Sequence, residues 1–315
     1  MHGSTQPHRD VSSLKVGFIG LGMMGLPMVE SLANRFDGEL LAFDASPAPF
    51  DKLAAHPQWQ KRLRQARSMT EFAACNVVIT MLPNSTITNA VILGNQTSTG
   101  LATVLSTGAI VVDMGSSNPA DTLTVSARLA EHGIDLVDAP VSGAVAKART
   151  GTLTLMVGGP EAALERVRPI LETMGSTIFP TGDVSSAHAM KALNNYVYAA
   201  GLLAASEALL IAHKLGLDPV RFTEVLNASS GRNVATETKL SQFIIPGTFA
   251  GGFALRLQSK DIATAAGLQH LAGISTPLLD LCASVWADAV QTLAPNADNT
   301  EIFRFLQQKN LPVNQ

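Results

Sequence analysis

A short apolar run, Leu14-Lys15-Val16-Gly17-Phe18-Ile19-Gly20, leads straight into Gly20-Leu21-Gly22-Met23-Met24-Gly25, and a helical stretch from Met23 to about Phe36 follows. Few folds accept a strand, a glycine turn and a helix in such close succession. The first glycine makes the tight turn, the second lets a ligand reach the backbone, and the third lets the helix pack on the strand. The helix then begins with free N–H groups, which favour negative charge, above all a pyrophosphate. Glycines here could also serve strand–helix packing alone, so context decides. A second β-rich run, Glu39 to Phe43, ends at Asp44, 19 positions after Gly25. An acid at that place bonds ribose hydroxyls and repels a 2′-phosphate. Ala45 and Ser46 follow it and offer no arginine to such a phosphate. The expected cofactor is NAD, with NADP less favoured.

Further runs at Asn76–Met81, Ala109–Asp113 and Ile134–Asp138 are almost wholly apolar, as in a parallel sheet covered on both faces. A helix from Pro119 to about His132 lies among them, and the alternation predicts a doubly wound α/β domain. Leu153–Val157 and Thr177–Phe179 add strands, with a helix from Pro160 to Met174 between. After about Asp183 strand-like runs disappear, and Ala- and Leu-rich helical patterns begin with one from about Ser185 to Leu215. Gly216 is placed to cap that helix, and Pro219 lies just beyond. The expected architecture is a loose polar tail (1–13), an N-terminal Rossmann-type domain (14–183) and an all-α C-terminal domain (184–315), joined by the long helix. Two domains also suit 315 residues, since a domain averages roughly 150.

Composition removes several classes of function. A net charge of −3, with no block of like charge, argues against nucleic-acid binding, which needs a basic surplus. No leader-like h-region occurs near the start. The most membrane-like stretch, Val197 to Ala212, is shorter than the ~20 residues of a span and contains Glu207. Cys75 and Cys282, far apart, build no disulfide framework, so a cytoplasmic protein is expected. The seven histidines show no metal-ligand spacing, and no metal is expected.

Several separated motifs, in order, carry a resemblance. Gly17-Phe18-Ile19-Gly20-Leu21-Gly22-Met23-Met24-Gly25-Leu26-Pro27-Met28, Met81-Leu82-Pro83, Asp138-Ala139-Pro140-Val141-Ser142-Gly143 with Gly151-Thr152-Leu153, Lys191-Ala192-Leu193-Asn194-Asn195 and Lys260-Asp261 resemble the 3-hydroxyisobutyrate dehydrogenase family, the β-hydroxyacid dehydrogenases. The similarity spans about residues 14–305. It implies hydride transfer between the nicotinamide and a small 3-hydroxy acid or its semialdehyde, in a cleft between the domains. It implies Lys191 as general acid/base, Asn195 as the residue that registers substrate and lysine, and Ser142 with Gly143 as the carboxylate cradle. Met81, Leu82, Pro83, Asn84, Ser116 and Lys260 are implied cofactor contacts beside the glycine loop. Ala144 departs from the family, where a second glycine is common.

The same residues have ordinary readings. Lys191 and Asn195, four apart, share one helix face, and a helical lysine is usually a solvated charge. Ala189, Met190, Ala192 and Leu193 surround it, and desolvation would lower its pKa toward the range useful for proton transfer. Ser142 serves equally as a helix cap, and Ser116 as a loop serine. His188 reads as structural or exposed before it reads as part of the site. Ser229-Ser230-Gly231 reads as a helix stop, with Arg232 and Asn233 as lesser candidates for a substrate anion, and Phe253 as core. Tartronate semialdehyde reductase, or a dehydrogenase of serine or threonate, is the alternative within the class. An imine reductase fits less well because Lys191 is present. A silent dinucleotide sensor is the non-enzymatic alternative. The family and the apolar second half suggest a homo-oligomer, dimer or tetramer.

Overall fold

The structure, a computed structural model, describes residues 14–310. The tail expected over 1–13 lies outside the described residues. The chain divides into two compact units, one ending at Lys191 and the other beginning at Ala192.

Nine strands form one sheet in the first unit: β1 (Lys15–Ile19), β2 (Glu39–Phe43), β3 (Leu63–Gln65), β4 (Val77–Thr80), β5 (Ile110–Asp113), β6 (Asp135–Asp138), β7 (Val141–Ser142), β8 (Leu153–Gly158) and β9 (Gly175–Gly182). Their order is β3-β2-β1-β4-β5-β6-β8-β7, with β9 beside β8. From β3 to β6 every pairing is parallel, and β8 runs antiparallel to β6 and β7. The 3-2-1-4-5-6 order is that of the dinucleotide-binding doubly wound fold, whose ligands bind where the order reverses, here between β1 and β4. The helices of this part are α1 (Gly25–Arg35), α2 (Ala48–Leu53), α3 (Ser85–Leu93), α4 (Leu101–Val104), α5 (Pro119–Ala130), α6 (Ala144–Thr150) and α7 (Glu161–Leu171).

Both faces of the sheet are buried, which is why its strands read as continuous apolar runs. Adjacent residues point to opposite sides: Phe18 packs with Val16, Leu32 and Val112, whereas Ile19 packs with Val78, Val111 and Leu136. Strands β3 and β7 give no such signal. Of Leu-Arg-Gln in β3 only Leu63 is buried, and β7 has two residues.

α8 (Ser186–Lys214) carries the chain into the second unit, and Gly216 just after it has φ +74°. By length and composition alone this helix could cross a membrane, although its most apolar stretch, 197–212, is shorter than a span. Its Leu202, Leu203 and Leu209 are core residues, packed in one cluster with Trp286 and Phe305. The second unit is all-α: α9 (Pro219–Asn227), a π-helix (Ala235–Ile244), α10 (Leu255–Ala272), α11 (Pro277–Thr292) and α12 (Ile302–Lys309).

Candidate active site

The first unit gathers most of the sequence-predicted residues at the carboxyl edge of its parallel strands. After β1, Gly20 turns with φ +100°, its N–H donating to the Phe43 carbonyl at 2.9 Å. A Cβ on Gly25 would stand 1.8 Å from the Gly20 carbonyl oxygen, so only glycine fits there. A Cβ on Gly22 meets nothing within 4 Å, which leaves the loop backbone open to a ligand. No side chain caps α1 and no acidic residue lies in its first turn, so its dipole faces the loop uncompensated. Asp44 reaches across from the end of β2 and accepts the Leu21 N–H at 2.6 Å and the Ser46 N–H at 2.7 Å. Leu21 is buried and Met23 exposed. Open glycine backbone, an uncapped helix and an acid at the ribose end fit an adenine dinucleotide.

Beyond β4, Met81 continues the ladder, its N–H donating to the Ile19 carbonyl at 2.8 Å. Leu82 and Pro83 follow, and Asn84 caps α3 by accepting the Ile87 N–H at 3.0 Å. Ser116 sits in the loop between β5 and α5. Ser142 ends β7, paired with Thr154, and Gly143 follows with φ +134°. Ala144, where a glycine was noted to be common, also lies in the left-handed region, at φ +57°.

Beneath these loops runs a polar row that the motifs did not reveal. Thr80, Asp113 and Asp138 are register partners at the ends of β4, β5 and β6, and all three are buried. Asp113 accepts from the Thr80 hydroxyl at 3.0 Å, the Gly115 N–H at 3.0 Å and the Ser117 hydroxyl at 2.5 Å. Asp138 accepts the Ser185 N–H at 2.8 Å and the His188 N–H at 2.9 Å, capping α8 from a strand 50 residues back in the chain. Burial pushes the Asp138 carboxyl above its ordinary range, against the opposing pull of His188 and of those two N–H donors. Three polar residues ending apolar runs were the available signal. Lys191 follows on the next turn of α8, half-buried.

Asn195 lies one further turn along α8, in the second unit, and is buried. Its Nδ2 donates to Asp261 Oδ2 at 2.5 Å, while Lys260 Nζ pairs with Asp261 Oδ1 at 2.9 Å. The buried carboxylate thus fixes the Asn195 amide, whose carbonyl oxygen accepts from Asn194 Nδ2 at 3.2 Å. Arg232 pairs with Glu237 at 2.5 Å. Asn233 accepts the Ala235 N–H at 2.9 Å at the start of the π-helix, and Phe253 is half-buried. Both polar candidates of that segment are therefore engaged locally.

Comparison with known proteins fixes the family. Residues 15–182 match the NAD binding domain of 6-phosphogluconate dehydrogenase, and residues 185–306 match the NAD-binding of NADP-dependent 3-hydroxyisobutyrate dehydrogenase. The chain belongs to the 3-hydroxyisobutyrate dehydrogenase family. Within that family it is 36% identical over 274 residues to a 2-(hydroxymethyl)glutarate dehydrogenase of Eubacterium barkeri, covering 87% of this chain and 88% of that protein. It is 32% identical over 294 residues to a 2-hydroxy-3-oxopropionate reductase of Escherichia coli, covering 93% and 97%. A solved structure of Mycobacterium tuberculosis 3-hydroxyisobutyrate dehydrogenase with L-serine superposes with a TM-score of 0.82 at 29% identity, over 94% of this chain and 99% of that one. Family and fold make the chain an NAD(P)-dependent oxidoreductase acting on hydroxy acids.

Proposed function

We propose that this enzyme interconverts a small 3-hydroxy acid and its semialdehyde with NAD as the preferred partner. One observation carries the reading. Lys191, half-buried, stands one turn after a residue whose backbone is bonded to the end of β6 and whose ring is bonded to α5. The compounds named with the relatives point to the substrate class. 2-(Hydroxymethyl)glutarate, 3-hydroxyisobutyrate and L-serine share the unit HOCH2–CHR–COO⁻, and 2-hydroxy-3-oxopropionate is its aldehyde form. What varies is R.

The nicotinamide supplies the hydride acceptor. In oxidation the neutral Lys191 amine takes the hydroxyl proton, and in reduction the ammonium returns it to the aldehyde oxygen. Ser142 and the Gly143 N–H hold the carboxylate one carbon away, which fixes the reacting carbon. Asn195, its amide held by Asp261, orients the substrate oxygen and the amine. The Gly20–Gly25 loop takes the pyrophosphate, with Met81, Leu82, Pro83, Asn84, Ser116 and Lys260 as further contacts. Asp44 takes the ribose hydroxyls after releasing Leu21. Such positioning of acid, base and carbon is the protein's share of the chemistry. A homo-oligomer in the cytoplasm completes the proposal.

A panel of HOCH2–CHR–COO⁻ acids with NAD and with NADP tests it. NAD-preferred oxidation of at least one is expected, and preference for NADP would remove the role given to Asp44. Lys191→Ala should still quench with NADH in a fluorescence titration yet lose ~10²–10⁴-fold in turnover. Undiminished turnover there ends the acid/base assignment. Tight NADH binding with no oxidation of any acid favours the silent sensor.

A further inference from the structure

We propose that His188 is a positioning residue for Lys191: clamped among Asp113, Thr122 and Asp138, it holds the first turn of α8 and so sets where the amine stands. The inference rests on the acid/base reading of Lys191. The ring is buried, with Nδ1 2.8 Å from the Thr122 hydroxyl and Nε2 3.7 Å from Asp113 Oδ2. The backbone N–H of the same residue donates to Asp138. α5 thus holds the residue by its ring and β6 by its main chain, while Nε2, buried without a hydrogen-bond partner, lies beside the Asp113 carboxylate of β5.

Proton accounting gives the ring its work. The Thr122 hydroxyl has one hydrogen and two claimants, the Asn118 carbonyl at 3.0 Å and His188 Nδ1. If Nδ1 takes it, the neutral ring carries its own hydrogen on Nε2, where it faces the Asp113 carboxylate attractively; if Asn118 takes it, Nδ1 becomes the donor. Asp113 and Asp138 are the titratable groups facing the ring from β5 and β6, and α5 contributes only a hydroxyl. The neighbourhood is fitted closely. A Cβ on Gly158 would stand 2.6 Å from Ser186 Oγ and 2.8 Å from Asp138 Oδ1, so β8 leaves room for this turn only as glycine. Ser185, with φ +79°, is held in the left-handed region by its bond to Asp138.

His188 and Lys191 are three apart, neighbours on the helix surface. A slide or rotation of the first turn therefore carries the amine with it, and a misplacement of about 1 Å costs a reaction ~10²-fold. Asp113 also holds Ser117 and Thr80, so the same carboxylate steadies the loops that follow β4 and β5.

His188→Leu keeps roughly the volume and removes both ring nitrogens, while His188→Gln restores an amide. In the leucine variant without cofactor, hydrogen–deuterium exchange over residues 185–192 should quicken while the rest of the first unit stays protected. Its kcat should fall ~10–100-fold, with KM and the NADH Kd within about threefold of wild type. The limb of the kcat/KM pH profile that Lys191→Ala abolishes should move by about half a unit or more, and glutamine should restore part of each effect. A wild-type kcat, or a loss matched by a lower folded fraction with an unmoved pH profile, overturns the inference. If His188→Leu does not fold, Thr122→Val removes one ring partner and should act in the same direction with smaller size, and no change of kcat there overturns it. Lys191→Ala separates the two claims. Normal turnover in that variant sinks the acid/base reading and this inference together. Loss of turnover there, beside an unaltered His188→Leu, sinks this inference alone.

Discussion

At the scale of the residue, Ala144 concentrates the tension of the site. Its φ of +57° lies where a Cβ crowds the backbone, at a cost of about 1–2 kcal/mol for an L-residue. The neighbouring Gly143 also has a positive φ, so the turn from β7 into α6 passes through two successive left-handed residues, of which only Gly143 is free of a Cβ. Ala144→Gly should therefore raise the melting temperature by about 2 °C or more, and differential scanning fluorimetry reads it. A lower melting temperature would mean that the methyl packs favourably enough to outweigh the strain. The residues to which the proposal gives a ligand were legible in the sequence, since the glycine loop, Asp44, Ser142 and Lys191 each sit in a motif. The contacts among Asp113, Asp138 and His188 were not, although Asp138 opens a motif. Their role is a meeting of side chains 50 to 75 positions apart, and an apolar run ending in aspartate looks the same whether the acid is wet or buried.

Elements were legible where burial is two-sided. β1, β4, β5 and β6 are continuous apolar runs because both faces of the sheet are covered, and α8 was expected within a residue at each end. β3, β7 and the ten-residue π-helix at Ala235–Ile244 gave no warning, being too short or defined only by tertiary packing. Within these packed elements sit three acids that resist ionisation. Burial pushes the Cys75 thiol up to about 12, with smaller effects from Lys15 and Glu39. Burial pushes Cys282 on α11 up to about 11, and Tyr198 on α8 up to about 12 against the bond from Asn299. A pKa raised in the fold means stability that is complete below the unfolded value, about 8.5 for a thiol and 10 for a phenol, and that is lost as pH climbs toward the folded value. The melting temperature should hold steady up to about pH 8.5 and fall steadily between pH 9 and 11. Both thiols should stay silent to a thiol reagent at pH 8 until denaturant is added. Rapid labelling of the native protein would show that the thiols are not shielded.

For the whole molecule, the uncovered surface of the second unit is the feature its own core does not explain. Ile211 is 62% exposed, Leu215 72% and Leu217 51%, around a shallow groove floored by Ala212 and Phe222. Apolar side chains so clustered usually mark a surface that meets another protein. A second copy seated there would cover the exposed apolar side chains at the end of α8. Light scattering behind a sizing column should give a mass that is a multiple of 33.0 kDa. Leu215→Glu together with Ile211→Glu should drive that mass toward a single chain, because two carboxylates would then have to be buried unpaired. A wild-type protein that elutes as one chain at every concentration tested denies the patch this role. An oligomer indifferent to both glutamates places the contact elsewhere on the molecule.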